Sequence, residues 1–423
     1  MLVFKFGGAS VKDAEAVKNV VSILHLYSGE KLGVVISAMG KTTNAMENIL
    51  AALLEKNNTA FLERIEERRE FHVSIIKQLF IDQNDTIFTE INSIFDDLSK
   101  KLDSGVSENA ALEYDQIVSL GEVISTKIVA AYCVQEGVSA GWMDARKLIR
   151  TNNVHREAEV DWETSTTLFQ DRFKAKHTEV DVILTQGFIG HTSDGLTTTI
   201  GREGSDFSAG IIAYCCDAES VTIWKDVPGM LNADPKWFDN TVKLDSISFR
   251  EAIELAYYGA SVIHPKTIKP LQNKEIPLYV KSFINPKEDG TVIQSSTSND
   301  HLVPSFIFKM NQILFSFTPK DFSFIVEKNL SDIFGRLDQS NAKINIMQNS
   351  ALNFSILVDE DKVSIDRILN LFEDSYDVKY NRGLELVTIR HYDQATIDRV
   401  TADKGIILQQ KTRETARLVV KQK

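Results

Sequence analysis

The opening of the chain constrains its fold more than any other stretch. Leu2-Val3-Phe4-Lys5-Phe6 reads as a strand that stops at Gly7-Gly8, and from Lys12 to Tyr27 apolar residues recur at helical spacing, at Ala16, Val17, Val20, Val21 and Leu24. Leu32 to Ser37 is a second apolar strand. Strands that are apolar on both faces need cover on both sides, so this β-loop-α-β opening predicts an α/β fold with a doubly wound, mainly parallel sheet.

From Thr43 to about Glu136 the pattern is almost wholly helical, with periodic Leu, Ile and Phe and no proline, which predicts a helical insert beside the sheet over 43–136. Strand-like runs return at Val182-Leu184 and Val221-Trp224, and a helix at Phe249-Tyr258 ends at Gly259. The α/β pattern closes near Val292, giving an expected first domain of 1–298. The polar run between Gln294 and Pro304 has the composition of a linker. Beyond it, 305–382 spells strand-helix-strand-strand-helix-strand, and 383–423 gives an abbreviated echo of the same α+β module.

The 59 acidic and 47 basic side chains leave a formal charge of -12, so no general basic field exists for nucleic acid or an anionic membrane. Any phosphate site must be local. Cys133, Cys215 and Cys216 fit neither a disulfide framework nor zinc-ligand spacing, and the N-terminus lacks a leader pattern, so a reducing, cytoplasmic setting is expected.

Gly40-Lys41-Thr42 follows an apolar strand as a P-loop would, but that motif needs a glycine at position 35, where Val stands. The stronger phosphate candidate is Lys5-Phe6-Gly7-Gly8-Ala9-Ser10-Val11, at a strand-to-helix step where glycines let backbone N–H groups approach phosphate oxygens and Lys5 supplies a charge. A lone Gly-Gly is more often a tight turn; its company changes the reading. Thr185-Gln186-Gly187-Phe188-Ile189-Gly190, Gly201-Arg202-Glu203-Gly204-Ser205-Asp206 and Trp224-Lys225-Asp226-Val227-Pro228-Gly229-Met230 are further glycine-bearing turns after apolar stretches, and Ala233-Asp234-Pro235 follows the last of them. Such turns gather at the carboxyl ends of parallel strands, where open α/β sheets bind ligands.

Taken together, KFGGAS, GREGSD, DVPGMLNADP and SFREAIELAYYGASVIHPKT resemble the aspartate kinase family, over essentially the whole chain. The resemblance implies a kinase domain of the amino-acid kinase type followed by two ACT modules, ATP with Mg²⁺ as cofactor, and phosphorylation of the side-chain carboxylate of L-aspartate, the first step towards lysine, threonine and methionine. It further implies Lys5 and Asp206 as catalytic, and Ser37, Thr43, Asn44, Glu122, Arg202 and Ser205 on the substrate side. Gly7, Gly8, Ser10, Gly187, Gly190, Lys225, Asp226, Gly229 and Lys236 fall to the phosphates and nucleotide, with Mg²⁺ held through ATP and water.

The chain departs from the family's pattern at Ala9, Glu203, Lys225, Leu231 and Ser261, several of them on the nucleotide side, where Lys225 and Lys266 are placed to compensate by charge. Two other readings share these features: a kinase of the same fold acting on a related carboxylate, and an amino-acid sensor that has lost ATP use. A monofunctional enzyme is expected, since the chain stops where a nicotinamide-binding domain would begin, and a homodimer paired through the C-terminal modules.

Overall fold

The computed structural model describes residues 1–82, 85–260, 263–340 and 342–421, with Ser104 described by its backbone alone. Two compact units result: 1–230 with 243–256 and 261–300, and 231–242 with 257–260 and 301–423.

The first unit is built on an eight-stranded sheet. In chain order its strands are β1 Leu2–Phe6, β2 Leu32–Ile36, β3 Ala140–Trp142, β4 Val182–Gln186, β7 Ser220–Lys225, β8 Ser246–Ser248, β9 Leu278–Ser282 and β10 Thr291–Gln294; β5 Ile189–His191 and β6 Thr197–Thr199 form a separate hairpin. The spatial order is β3-β4-β2-β1-β7-β9-β10-β8. All pairs from β3 to β9 are parallel, and β9 with β10 is antiparallel. The doubly wound, mainly parallel sheet is therefore present.

β1 and β2 lie in the middle, which is why both read as apolar: Val34, Val35 and Ile36 have no exposure at all. Phe4 and Phe6 point to one face, where Trp224 lies 5.6 Å and 6.0 Å from their rings. Lys5 points to the other. Helix α1 Ala14–His25 starts on Asp13, whose side chain accepts from the Ala16 N–H.

The helical insert comprises α2 Thr42–Leu54, α3 Asn58–Leu79, α4 Thr86–Ser99, the short α5 Lys101–Ser104, α6 Ala110–Val118 and α7 Leu120–Gln135. The stretch Ala110–Gln135 is apolar and long enough to cross a membrane, yet it is mostly buried inside the fold and carries Glu113, Asp115 and Glu122. It reads as a pair of core helices. α8 Trp162–His177 and α9 Gly204–Cys216 cover the sheet, while α10 Phe249–Tyr258 and α11 Pro265–Asn273 follow β8.

The second unit carries a six-stranded antiparallel sheet of β11 Ser305–Pro319, β12 Ile344–Asn349, β13 Phe354–Asp359, β14 Tyr376–Arg390, β15 Ile406–Lys411 and β16 Thr415–Lys421, in the order β12-β13-β11-β14-β16-β15. Its helices are α12 Glu327–Gln339, α13 Ile365–Phe372 and α14 Gln394–Thr401. This is the ACT-like α+β order expected of the tail, with two differences. The strands at Asp377-Tyr380 and Glu385-Arg390 are one continuous β14, whose pairing with β11 shifts register twice, between Lys309 and Gln312 and between Gln312 and Leu314. The shorter module also gains a strand the sequence reading left out: Ser305–Lys309, which pairs with Leu386–Arg390.

Candidate active site

The carboxyl ends of β1, β2, β4 and β7 are level, with Phe6 in register with Ile36 and Trp224, and Ile36 with Gln186. A cavity of about 800 Å³ lies at this edge of the first unit. Of the residues the sequence singles out, it brings together Lys5, Gly8, Ser37, Thr43, Glu122, Arg202, Ser205 and Asp206.

Lys5 Nζ stands 2.6 Å from Asp206 Oδ1, and the two side chains are only 12% and 7% exposed. The ammonium leans over the turn, where a Cβ on Gly7 would lie 3.3 Å from Nζ, while one on Gly8 would meet the Ala38 carbonyl oxygen at 2.7 Å. Gly8 is thus required by close approach of the backbone, while a side chain at Gly7 would press on the Lys5 ammonium. Asp206 belongs to the first turn of α9, whose N-terminal residues Glu203, Gly204 and Ser205 face the cavity, an end that favours anions. Lys225 joins this group: burial lowers its pKa, with Lys5 adding to that effect and Asp206, Glu203 and Asp226 opposing it.

Glu122 sits in the first turn of α7, 3% exposed, and burial pushes its carboxyl up to about 8 against the backbone N–H groups of Ala38 and Glu122 itself. Its Oε2 is buried with no hydrogen-bond partner among the described residues. Such an oxygen costs roughly 1–3 kcal/mol until something donates to it. Arg202 is exposed on the same cavity, so an acid for an ammonium and a guanidinium for a carboxylate line one space. Ser37 is fixed by its N–H to the Phe6 carbonyl at 3.1 Å and by Ser125 Oγ donating to its carbonyl at 2.7 Å.

The remaining candidates lie elsewhere. Asn44 is exposed on α2 and does not line the cavity. Ser10 is buried in the turn after β1. Gly187 and Gly190 are tightly packed: a Cβ on Gly187 would lie 2.5 Å from Ser205, and one on Gly190 2.8 Å from Thr151. Asp226 is exposed just beyond β7, and Gly229 abuts Thr291. Lys236, like Leu231, belongs to the second unit, where its N–H donates to the Asp234 carboxylate at 2.9 Å. Ser261 lies outside the described residues. Lys266 Nζ donates to the Ile200 carbonyl at 3.1 Å, directly before the Gly201–Asp206 turn.

Sequence reasoning passed over Tyr114, His155, Arg156, Glu157 and Phe188 on the cavity wall. Phe188, Arg156 and Glu203 share a signal that no composition reveals: each has positive φ, at 68°, 71° and 54°, and all three face the cavity. Left-handed backbone in non-glycine residues costs of order 1–3 kcal/mol and gathers at functional sites. At Glu203 this backbone is one that glycine adopts without strain.

No cluster of three or more metal-binding side chains occurs among the described residues. A phosphate-bound Mg²⁺ fits this site, whose described side chains offer no cage of their own and present Asp206 beside Lys5 and Lys225.

Fold and site are those of a small-molecule phosphotransferase, and residues 1–282 match the profile of the amino acid kinase family. The lysine-sensitive aspartokinase 3 of Escherichia coli (strain K12) is 31% identical over 360 residues, covering 85% of this chain and 78% of that protein. E. coli aspartokinase III in complex with lysine and aspartate superposes with a TM-score of 0.84 at 26% identity, over 100% of this chain and 96% of that one. The complex of that enzyme with aspartate and ADP gives 0.79 at 27%, with the same coverage. The chain belongs to the amino acid kinase family and, within it, to the aspartokinases.

Proposed function

We propose that the chain transfers the γ-phosphoryl group of ATP to the side-chain carboxylate of L-aspartate. The observation that carries this is the buried Lys5–Asp206 pair sharing a cavity with the unpartnered Glu122 oxygen. Aspartate's own carboxylate, with an ordinary pKa near 3.9, is already an ionised nucleophile at neutral pH, so no general base is needed. The work left for the protein is to align two anions and to neutralise charge on the group in flight.

Lys5 supplies that charge, and Asp206 holds its ammonium at the strand edge. Gly8 and the N-terminus of α9 admit phosphate oxygens, with Lys225 and Asp226 on the nucleotide side. Mg²⁺, when bound with ATP, supplies further neutralisation of the phosphate oxygens. At the amino-acid end Glu122 receives the α-ammonium and Arg202 takes the α-carboxylate, which leaves the side-chain carboxylate to face Lys5. Ser37 and Thr43 border this end.

Incubation with Mg-ATP and aspartate, glutamate or N-acetylglutamate, with hydroxylamine present to trap acyl phosphates, tests the reading. Hydroxamate is expected with aspartate alone; equal product from glutamate would overturn the substrate assignment, and binding of aspartate without product would favour a sensor.

The second unit is read as two ACT modules that pair across a homodimer, in a cytoplasmic protein. Phe322, Phe324 and Leu352 are 75%, 68% and 37% exposed, and the Ile325 N–H donates to the Ala351 carbonyl at 2.9 Å, which brings the two segments that carry them together. Sedimentation at micromolar concentration is expected to give the mass of two chains, and replacing Phe322 and Phe324 by serine to shift it towards one. A monomeric parent protein would rule the dimer out.

A further inference from the structure

Asp115, on α6, is wholly buried. Its carboxylate accepts from Thr199 Oγ1 at 2.6 Å, pairs with His155 Nδ1 at 2.7 Å, and accepts the Arg156 backbone N–H at 3.1 Å. One acid thereby ties α6, β6 and the 151–160 segment together at the cavity wall. The turn it holds carries Arg156 with φ at 71°, a conformation that glycine adopts freely and arginine only under strain. The turn itself gives no reason for an arginine.

The side chain supplies one. The Arg156 guanidinium lies over the Tyr114 ring, 4.3 Å from its centroid, and the Tyr114 hydroxyl donates to Glu47 Oε1 at 2.9 Å, which steadies the platform. Among the described residues this guanidinium has no carboxylate partner, so its fork of donors is unspent. Tyr114, His155 and Arg156 line the same cavity as Glu122 and Arg202.

We propose that Arg156 is a specificity-determining residue that grips the α-carboxylate of the amino-acid substrate together with Arg202; the inference rests on the aspartate-phosphorylating reading above. A carboxylate has about four lone-pair sites, and one guanidinium fork fills two of them. A second fork fills the rest and fixes the rotation of the substrate about its Cα. That rotation decides which carboxylate reaches Lys5. With Glu122 on the ammonium, three contacts then orient the amino acid, and the side-chain carboxylate is the group left over.

The test uses the full chain with Arg156→Gly, Arg156→Gln and Arg156→Lys, following hydroxamate formation and thermal melting. Loss of a charge-assisted fork predicts a KM for aspartate higher by roughly 10- to 100-fold in the Gly and Gln variants. The KM for Mg-ATP stays within about twofold, and Arg156→Lys, which keeps charge but not the fork, falls between. Arg156→Gly relieves the backbone strain and melts no lower than the parent, so a KM effect in that variant is not a folding effect. An Arg156→Gly protein with an unchanged KM for aspartate, or one whose KM values for aspartate and Mg-ATP rise together, overturns the proposal. A parent protein that forms no aspartyl hydroxamate fails at the earlier step and takes this inference with it.

Discussion

Replacing Lys5 by alanine is expected to lower kcat by about a thousandfold, the scale on which removal of a preorganised electrostatic donor acts. The KM for aspartate should change little, because the amino-acid end is built from Glu122 and Arg202 and not from Lys5. The variant also leaves Asp206, 7% exposed, beside an empty space where an ammonium stood at 2.6 Å. Breaking a buried pair from one side costs roughly 3–5 kcal/mol, so Lys5→Ala should melt several degrees lower. The double variant Lys5→Met with Asp206→Asn removes both charges, and it should recover most of the stability with none of the activity. Stability and rate moving together through all three proteins would contradict a catalytic part for Lys5.

Glu122→Gln is expected to weaken aspartate binding by roughly 10- to 100-fold, the range of a charge-assisted hydrogen bond. The pH dependence carries more information. Burial disfavours the charged form and raises the carboxyl to about 8 in the empty site, so at pH 7 it is mostly protonated. An ammonium needs the carboxylate, so binding releases the proton. kcat/KM for aspartate should therefore climb about tenfold per pH unit towards 8 and level off above it, and the glutamine variant should show no such rise. The effect on the empty protein has the opposite sign. Between the ordinary value of 4.5 and about 8 the folded protein keeps a proton that the unfolded chain has lost, so this group's contribution to stability is full below 4.5 and falls away as pH rises through that window. Glu122→Gln should accordingly gain in melting temperature relative to the parent between pH 5 and pH 8. A buried carboxyl whose charged form is disfavoured in the empty site suits a position that receives a cationic ligand.

The parts of the fold that could be read in advance are those whose cause is local. The apolar run of β1, its stop at Gly7-Gly8 and the period of α1 depend on residues within a few positions of one another, and Lys5 is marked by sitting at that step. The helical insert was visible for the same reason. β14 was hidden because Asn381, Arg382 and Gly383 interrupt the alternation, with Gly383 at a φ of 66° where the register shifts. Ser305–Lys309 falls at the start of the 305–382 module with no strand assigned to it, because its pairing partner is about eighty residues away.

At the site, Lys5 stands out in the sequence by its place at a strand end before two glycines, whereas Glu122 and Asp206 are singled out only by the family resemblance. Asp115 and Arg156 are marked by neither. Asp115 looks like any polar residue on α6 until Thr199, His155 and the Arg156 N–H converge on it, and those contacts span 40 to 84 positions. The close packing of Gly187 against Ser205 and of Gly190 against Thr151 spans 18 and 39 positions and leaves no trace in the local sequence.

The most direct measurement is nuclear magnetic resonance of aspartate labelled with ¹³C at its side-chain carboxyl carbon, incubated with Mg-ATP and the full chain. The expected result is a new ¹³C signal with coupling to ³¹P, appearing as ADP forms and absent with Lys5→Ala. ADP formation that leaves the side-chain carbon unchanged, or a phosphate bonded to the α-carboxylate, would contradict phosphoryl transfer to the aspartate side chain.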